Sequence, residues 1–183
     1  MPRVCSVCAA PLATPAPVLC PVCSTQHWSN AKPCAAALVV HDDKLLLTRR
    51  ELEPWRGLWC APSGFCDGAE HPIAAAEREA FEEAGIRISV TGYLGVWIDE
   101  YKPATPEGDD AEYVAVAYYH AVPVGNPLAA HDPLEVAEVG WFAPWELPGE
   151  LAPPVNGQRI YAAWREAYEA GRLTSPLPDL SER

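Results

Sequence analysis

Positive charge is scarce in this sequence. Only 13 lysines and arginines stand against 25 aspartates and glutamates, which gives a formal net charge of −12. Proteins that bind duplex nucleic acid usually need a dense patch of Lys and Arg, so a broad nucleic-acid surface is not expected. A phosphate-bearing substrate would need a cation between itself and this acidic chain.

Long hydrophobic runs are also missing, and the first residues lack the basic and apolar pattern of an export signal. We therefore expect a cytoplasmic protein that neither spans nor binds a membrane. At 183 residues the chain has room for one packed catalytic domain with a small satellite, but not for two ordinary domains.

Carboxylates are absent from residues 1–34, and residues 1–30 have few bulky apolar side chains to build a core. This segment instead carries two Cys-x-x-Cys pairs separated by eleven residues, namely Cys5 and Cys8, then Cys20 and Cys23. Such pairs suit tetrahedral Zn²⁺. The spacing predicts a zinc ribbon over residues 1–33, whereas the alternative is four reduced cysteines in a disordered tail. His27 is not expected as a ligand, because four thiolates already saturate zinc.

Residues 34–183 are predicted to form the main domain. An apolar stripe every third or fourth residue predicts a helix from Pro72 to Ala84, with Gly85 as its stop. Apolar runs and turn residues predict the other elements: strands at 35–40, 44–48, 86–96, 112–121 and 136–142, an irregular loop at 51–68, and a last helix at 157–171. This order is α+β and favours an α/β/α sandwich.

Three carboxylates share one side of the first predicted helix. Glu79, Glu82 and Glu83 stand at i, i+3 and i+4, so their side chains converge. Like charges at these spacings repel by roughly 0.2–0.5 kcal/mol per pair on an exposed helix. A hard cation such as Mg²⁺ or Mn²⁺ would relieve that cost. The alternative is an acidic face that is simply solvated.

The segment around this helix resembles the signature of the Nudix hydrolases. Gly64, five residues, Glu70, seven residues, and then Arg-Glu-Ala-Phe-Glu-Glu-Ala-Gly-Ile over residues 78–86 match that family at nine specified positions. The preceding residues 57–64 are similar to the family's strand-to-loop entry, with Ser63 where the usual Pro-Gly-Gly has a glycine. The resemblance covers roughly residues 35–170.

The resemblance implies a Mg²⁺- or Mn²⁺-dependent enzyme that cleaves a pyrophosphate bond without a covalent enzyme nucleophile. It also assigns roles. Glu79 and Glu83 would be the principal metal ligands and Glu82 a further ligand, often through water. The main-chain carbonyl of Ser63 is another possible ligand. Arg78 would orient the carboxylates, including Glu70.

The general base varies within the family, so the resemblance does not fix it. Glu135 and Glu138 come just before the Val-Gly-Trp-Phe segment of residues 139–142, where many relatives carry an acidic catalytic loop. We take Glu135 as the candidate for general base or distal metal ligand, against the alternative of a surface carboxylate without a catalytic role. Glu112 is a second candidate.

A zinc ribbon joined to a Nudix domain resembles two groups of enzymes. One is the bacterial NADH pyrophosphatases, whose Ser-Gln-Pro-Trp-Pro-Phe-Pro signature has no counterpart in residues 93–106. The other is a shorter group that includes FAD and ADP-ribose pyrophosphatases, and it fits better. We therefore predict ADP-ribose or FAD as substrate. The alternatives are NADH, a capped RNA end, and a non-catalytic regulator that binds a nucleotide sugar.

Three residues are candidate substrate contacts. Trp97 and Tyr101 would offer a flat face to a base or flavin, although aromatic residues near a strand more often pack the sheet. Arg50 is the third candidate. The partner is then a small nucleotide, and the resemblance implies a homodimer.

Overall fold

The computed structural model describes residues 4–12, 16–103, 111–125 and 133–174. The chain divides into two compact units, one made of Met1–Lys32 with Glu100–Val114, the other of Pro33–Asp99 with Ala115–Arg183. The sequence does not indicate that the segment after Asp99 groups with the amino-terminal residues. The proposed division into residues 1–33 and 34–183 stays a prediction.

The described residues form the following elements in chain order: β1 (Val18–Leu19), β2 (Gln26–His27), β3 (Lys32–His41), β4 (Lys44–Arg50), β5 (Trp59–Cys60), β6 (Ser63–Phe65), α1 (Pro72–Ala84), β7 (Ile88–Lys102), β8 (Glu112–Pro123), β9 (Val136–Phe142) and α2 (Gly157–Glu169). In this part of the chain, neither helix has the length and apolar character needed to cross a membrane. β1 and β2 pair antiparallel as a separate small sheet.

The main sheet has the order β5-β4-β3-β8-β7, with β6 added to β3 and β9 added to β4. β3 and β4 are joined by a two-residue turn, since His41 pairs with Lys44 in register. Both turn residues have positive φ, 46° at Asp42 and 59° at Asp43. A two-residue hairpin turn of this hand requires that conformation, and aspartate tolerates it better than most residues.

The core lies on both faces of this sheet. Ala35, Ala37 and Val39 of β3 pack in one cluster with the apolar side of α1. Ala36 and Leu38 point to the other face by strand alternation and are equally buried. α2 buries its own apolar face outside the α1 cluster, through Ile160, Tyr161, Trp164 and Ala167. The α+β sandwich expected from the sequence is confirmed.

The helix α1 begins and ends where its capping residues predict. The side chain of His71 accepts a hydrogen bond from the Ile73 N–H at 3.2 Å, and Pro72 occupies the first turn. Gly85 closes the helix with φ of 66°, the left-handed conformation that favours glycine at this position. These caps fix the length of α1, whereas its buried apolar residues, among them Ile73, Ala76 and Ala80, form the face that packs in the core.

Two parts of the main unit differ from expectation. β7 extends to Lys102, whereas the sequence predicts its end at residue 96. The predicted irregular loop contains the short strands β5 and β6, which are held by pairing with β4 and β3. Such short strands take their regularity from long-range partners, so local propensity does not indicate them. The sequence also predicts a Pro- and Asp-rich loop between Lys102 and Asp110, and residues 104–110 of that loop lie outside the described residues.

Candidate active site and zinc site

The carboxylates of α1 lie against the strand β6. A Cβ added to Gly64 would stand 2.1 Å from Oε1 of Glu79, so only glycine lets the backbone approach the helix this closely. Ser63, one residue earlier, is not among the residues with positive φ, so its backbone is ordinary for a side-chain-bearing residue. The first glycine of the signature therefore has a direct steric purpose.

One arginine holds three of the acidic side chains. The Nε and Nη2 atoms of Arg78 donate to the two carboxylate oxygens of Glu70 at 3.0 and 2.8 Å. Its Nη1 donates to Glu79 and to Glu82, each at 2.7 Å. Nη2 also donates to the carbonyl of Phe65 at 2.9 Å, which anchors the guanidinium to β6. The hydrogen bonds from Arg78 lower the pKa of Glu70 to about 2.

Glu83 is the most enclosed carboxylate of the group, with 8% of its surface exposed. Its Oε2 accepts hydrogen bonds from the Ser63 N–H and from the Thr48 hydroxyl, both at 3.2 Å. Burial, followed by the charge of Glu79, raises the pKa of Glu83 to about 8. Burial also raises the pKa of Glu79, against the influence of Arg78. Two adjacent carboxylates therefore carry negative charge at a free-energy cost.

This donor set fits a hard divalent cation. Glu79, Glu82 and Glu83 offer carboxylate oxygens, the ligands that Mg²⁺ and Mn²⁺ prefer. Arg78 and Thr48 fix the orientation of these side chains but do not cancel the burial and the neighbouring negative charges that raise the pKa values of Glu79 and Glu83. A cation between the carboxylates would remove that cost.

The three candidate bases lie in different surroundings. Glu135 immediately precedes β9, its carbonyl accepts the Glu51 N–H at 2.9 Å, and its charge contributes to raising the pKa of Glu79. Glu138 lies within β9 and faces Arg49 at 3.8 Å. Glu112 belongs to the smaller unit, where it forms an ion pair with Lys32. Of the three, Glu135 is the one whose charge acts on the α1 carboxylates.

The three candidate substrate contacts also lie in different parts of the structure. Arg50 donates to the carbonyl of Pro54 at 2.8 Å, and its charge lowers the pKa of Glu83, so it lies near the acidic cluster. Trp97 is half-buried and packs edge-on against Tyr118, with ring centroids 5.5 Å apart. Tyr101 belongs to the smaller unit and has the ammonium of Lys102 at 5.8 Å from its ring centroid.

Sequence reasoning missed two residues that support the site. Thr48 of β4 is almost fully buried and donates to Glu83, but a threonine in a strand carries no signal of that role. The hydroxyl of Tyr161 accepts a hydrogen bond from the Ala61 N–H at 2.7 Å, which ties α2 to the segment just before β6. Only the packing of distant elements could have indicated either contact.

The four predicted zinc ligands form one cluster in the smaller unit. Their sulfur atoms all lie within 4.8 Å of one another, with Cys5 to Cys23 at 3.5 Å and Cys8 to Cys20 at 3.6 Å. Thiolates around tetrahedral zinc, at a Zn–S distance of about 2.3 Å, stand about 3.8 Å apart. The cluster therefore fits a zinc ion.

The two Cys-x-x-Cys turns have the same backbone form. The residue after each second cysteine has positive φ, 58° at Ala9 and 61° at Ser24. The N–H of each donates back to the carbonyl of the first cysteine of its pair, at 2.9 and 3.0 Å. His27 lies beside this cluster with Nε2 at 3.2 Å from the sulfur of Cys5. His27 therefore contacts the sulfur of one predicted zinc ligand but is not itself one of the four predicted ligands.

The chain is similar to known proteins of one family. The family model named NUDIX domain matches residues 31–169. The chain is 30% identical over 145 residues to the 8-oxo-dGDP phosphatase NUDT18 of Mus musculus, which covers 68% of this chain and 45% of the mouse protein. It is 28% identical over 158 residues to the NAD-capped RNA hydrolase NudC of Chromobacterium violaceum, covering 84% of this chain and 54% of that protein.

An archaeal enzyme and a solved structure extend the comparison. The ADP-ribose pyrophosphatase of Methanocaldococcus jannaschii is 30% identical over 101 residues, with 55% of this chain and 56% of that protein covered. The chain thus spans about half the length of these curated relatives. The crystal structure of a NUDIX hydrolase from Nitrosomonas europaea superposes with a TM-score of 0.72 at 24% identity, covering 96% of this chain and 97% of its own, which shows the shared fold. With the family model matched over most of its length, this chain belongs to the NUDIX family.

Proposed function

We propose that this protein is a divalent-metal-dependent hydrolase that cleaves the pyrophosphate bond of a nucleoside diphosphate derivative, with ADP-ribose or FAD as the preferred substrate. The observation that carries the proposal is a pair of neighbouring carboxylates on α1, the buried Glu83 and the half-buried Glu79. Glu79 and Glu83 are oriented by hydrogen bonds from Arg78, Thr48 and the Ser63 N–H, yet burial raises both of their pKa values. The charge of Glu79 adds to the effect on Glu83, and the charges of Glu82 and Glu135 add to the effect on Glu79.

Each residue of the cluster has a separate task in this proposal. Glu79, Glu82 and Glu83 hold the cation, with the Ser63 carbonyl as a further ligand. A divalent cation held there would supply positive charge for the pyrophosphate oxygens and would lower the pKa of a coordinated water. Glu135 is the proposed general base, since among the candidate bases it is the one whose charge contributes to raising the pKa of Glu79. Arg50 adds positive charge for the phosphates, and Arg78 with Glu70 keeps the carboxylates aligned.

The choice of substrate rests on the relatives and on the sequence. One relative is named an ADP-ribose pyrophosphatase, and the sequence resembles the shorter zinc-ribbon group that acts on FAD and ADP-ribose. A second candidate is the NAD-capped RNA end, since the relative with that activity aligns to 84% of this chain. A third relative is named for 8-oxo-dGDP. All these substrates share a nucleoside diphosphate, so the proposed metal site serves each of them equally.

A hydrolysis panel tests the proposal. We would measure kcat/KM with Mg²⁺ or Mn²⁺ for ADP-ribose, FAD, NADH, 8-oxo-dGDP, dGTP and NAD-capped RNA. We expect ADP-ribose or FAD to rank first and to give AMP with ribose 5-phosphate or FMN. A triphosphate ranked first would overturn the substrate assignment. Binding of ADP-ribose without hydrolysis of any compound would favour the regulator instead.

Replacing one carboxylate tests the metal site within that panel. Glu83→Gln keeps the size of the side chain but removes a ligand charge, so we expect kcat to fall by roughly 10²–10⁴-fold while the fold is retained. Thermal unfolding of the same sample serves as the check on folding. Near-normal kcat at saturating Mg²⁺ would mean that the cation binds elsewhere.

A further inference from the structure

Residues 51–57, which we name the Trp55 loop, form a closed segment directly after β4. The ends of the loop are joined through the backbone. The Arg50 N–H donates to the Leu58 carbonyl at 3.0 Å, and the Gly57 N–H donates to the Arg50 carbonyl at 2.8 Å. The Leu58 N–H also donates to the Trp55 carbonyl at 3.1 Å. These bonds hold the loop against Arg50, the last residue of β4.

Trp55 has a backbone conformation that bulky residues rarely adopt. Its φ is 68°, in the left-handed region. A large side chain in this region costs free energy, so the conformation persists only where the surrounding structure enforces it. An ion pair between Glu51 and Arg56, which spans the loop, adds to the backbone bonds that do so here. Strain of this kind occurs mostly at functional sites, which directs attention to the contacts of the indole.

The indole of Trp55 lies against the side chain of Arg50. The guanidinium carbon Cζ is 5.9 Å from the centroid of the indole ring, within the range of cation–π attraction. On the same side chain, Nε donates to the Pro54 carbonyl at 2.8 Å. The ring and the carbonyl are both uncharged. The loop therefore fixes the position of the guanidinium without neutralising its positive charge.

Arg50 differs in this respect from the other arginines near the site. Arg49, Arg56 and Arg78 each pair with at least one glutamate. Among the residues that the structure describes, Arg50 pairs with no carboxylate, although it is partly buried. A guanidinium whose terminal nitrogens are not committed to a carboxylate is well suited to bind phosphate oxygens.

Strand geometry places Arg50 beside the metal-binding carboxylates. Thr48 and Arg50 are two residues apart in β4, so their side chains lie on one face, and the extra residue at the nearby register shift belongs to β9. The Thr48 hydroxyl lies 3.2 Å from Oε2 of Glu83. In the described part of the chain, that oxygen accepts from Thr48 and from the Ser63 N–H but not from Arg50. Burial raises the pKa of Glu83, and the charge of Arg50 opposes the rise, in agreement with this placement.

The Trp55 loop also adjoins the proposed general base. The Glu51 N–H, at the start of the loop, donates to the carbonyl of Glu135 at 2.9 Å. Arg50 itself pairs in register with Val136, the residue that follows Glu135. The loop is therefore attached at its start to the segment that carries Glu135, and a change in the loop would act where the substrate is expected to bind.

We propose that Trp55 is a positioning residue for Arg50, whose guanidinium it holds away from Glu83 and available to a phosphate oxygen of the substrate. The inference rests on the proposed function, because it concerns how the pyrophosphate is held. An arginine beside a buried carboxylate would otherwise pair with it and compete with the metal ion for the same oxygen. Held by the Trp55 loop, Arg50 binds phosphate while Glu83 stays available to the cation.

Replacing the indole tests this role. Trp55→Gly removes the ring but suits the backbone, since glycine adopts positive φ without strain. At saturating Mg²⁺, we expect KM for the best panel substrate to rise by roughly 10-fold with little change in kcat, as when one charge-assisted hydrogen bond to phosphate is lost. Trp55→Phe keeps an aromatic face and should restore most of the wild-type KM. Trp145→Ala is the matched control, because Trp145 is an exposed tryptophan away from this loop, and it should leave KM unchanged.

A double-mutant cycle with Arg50→Gln separates positioning from a purely structural role. If Trp55 acts through Arg50, Trp55→Gly should raise KM in the wild-type background and have no further effect in the Arg50→Gln background. The same rise in both backgrounds overturns the inference, as does an unchanged KM in folded Trp55→Gly or in Arg50→Gln alone. Thermal unfolding checks each variant. If Trp55→Gly does not fold, Trp55→Asn takes its place, because asparagine also tolerates this conformation.

Failure of this inference is distinguishable from failure of the proposed function. If no panel compound is hydrolysed, the proposed function fails, and calorimetric titration with inorganic pyrophosphate and Mg²⁺ decides the role of Trp55. We then expect Kd to rise by roughly 10-fold in Trp55→Gly, and to be equal in Arg50→Gln and the double variant. An unchanged Kd in Trp55→Gly, or no binding of pyrophosphate to the wild-type protein, overturns the inference.

Discussion

At the scale of single residues, the Arg78–Glu70 ion pair makes the free energy of unfolding depend on pH. Arg78 lowers the pKa of Glu70 to about 2, below the ordinary value of 4.5. A carboxylate whose pKa is lower in the folded state stabilises the fold above pH 4.5 and loses this contribution as the pH falls toward 2. We expect Glu70→Gln to lower the melting temperature near neutral pH and to lose less stability than wild type on acidification.

Melting curves between pH 3 and pH 7, without added divalent cation, measure this effect. The difference between the wild-type and Glu70→Gln melting temperatures should shrink as the pH falls from 4.5 toward 3. Glu169→Gln is the control, because Glu169 is exposed at the end of α2. A constant difference between wild type and Glu70→Gln at every pH would contradict the ion pair as the cause.

Some residues of the candidate site could be predicted from the sequence and others could not. The family signature identifies Arg78 and four glutamates. The structure brings Glu70, Glu79 and Glu82 together around the Arg78 guanidinium, whereas Glu83 accepts from Thr48 and the Ser63 N–H. It does not indicate Thr48, whose contact with Glu83 depends on the position of β4 beside α1. Nor does it indicate Trp55, whose contact with Arg50 depends on the folded loop between them.

At the scale of elements, the approach of β6 to α1 decides whether the site forms. A methyl group on residue 64 would occupy the place of the Glu79 carboxylate, at 2.1 Å from Oε1. The clash is with the end of a flexible side chain, so we expect Gly64→Ala to fold but to displace this metal ligand. Its kcat/KM should fall by roughly 10²-fold or more, as when a group that stabilises transition-state charge is lost.

Titration of Gly64→Ala with Mn²⁺, followed by electron paramagnetic resonance, measures its metal affinity. We expect weaker Mn²⁺ binding than in the wild-type protein, which would explain the lower kcat/KM. Gly149→Ala is the matched control, since a Cβ there meets no atom within 4 Å. Unchanged Mn²⁺ affinity in Gly64→Ala would show that Glu79 does not hold the cation.

Elements also differ in how well the sequence predicts them. The bounds of α1 were predictable because Pro72 and Gly85 are local signals for the start and end of a helix. β5 and β6 were not, because strands of two or three residues depend on their partners in β4 and β3. The local signals thus gave the helix that carries the carboxylates, but not the strand that positions them.

At the scale of the whole molecule, the described residues of the smaller unit form only a very small apolar core. Its buried cluster consists of Cys5, Leu12 and Cys20, with Ala10, Val18 and Cys23 packed around them. Half of these residues are predicted zinc ligands. So small a core cannot offset the entropy of ordering the chain. We therefore infer that a zinc ion supplies the stability of this unit, as structural zinc does in domains that unfold without metal.

Metal analysis of protein purified without chelator should give about one zinc per chain, the stoichiometry of a Cys₄ site. Cys20→Ser should lose this zinc, and the amide protons of residues 16–27 should then exchange rapidly with solvent, because the turns around Cys5 and Cys20 lose the ion that joins them. The amides of α1 should keep their protection, since that helix belongs to the larger core. Cys66→Ser is the matched control, because Cys66 is a thiol outside the cluster. Wild-type protein without zinc, or slow exchange in Cys20→Ser, would mean that the four sulfurs meet for another reason.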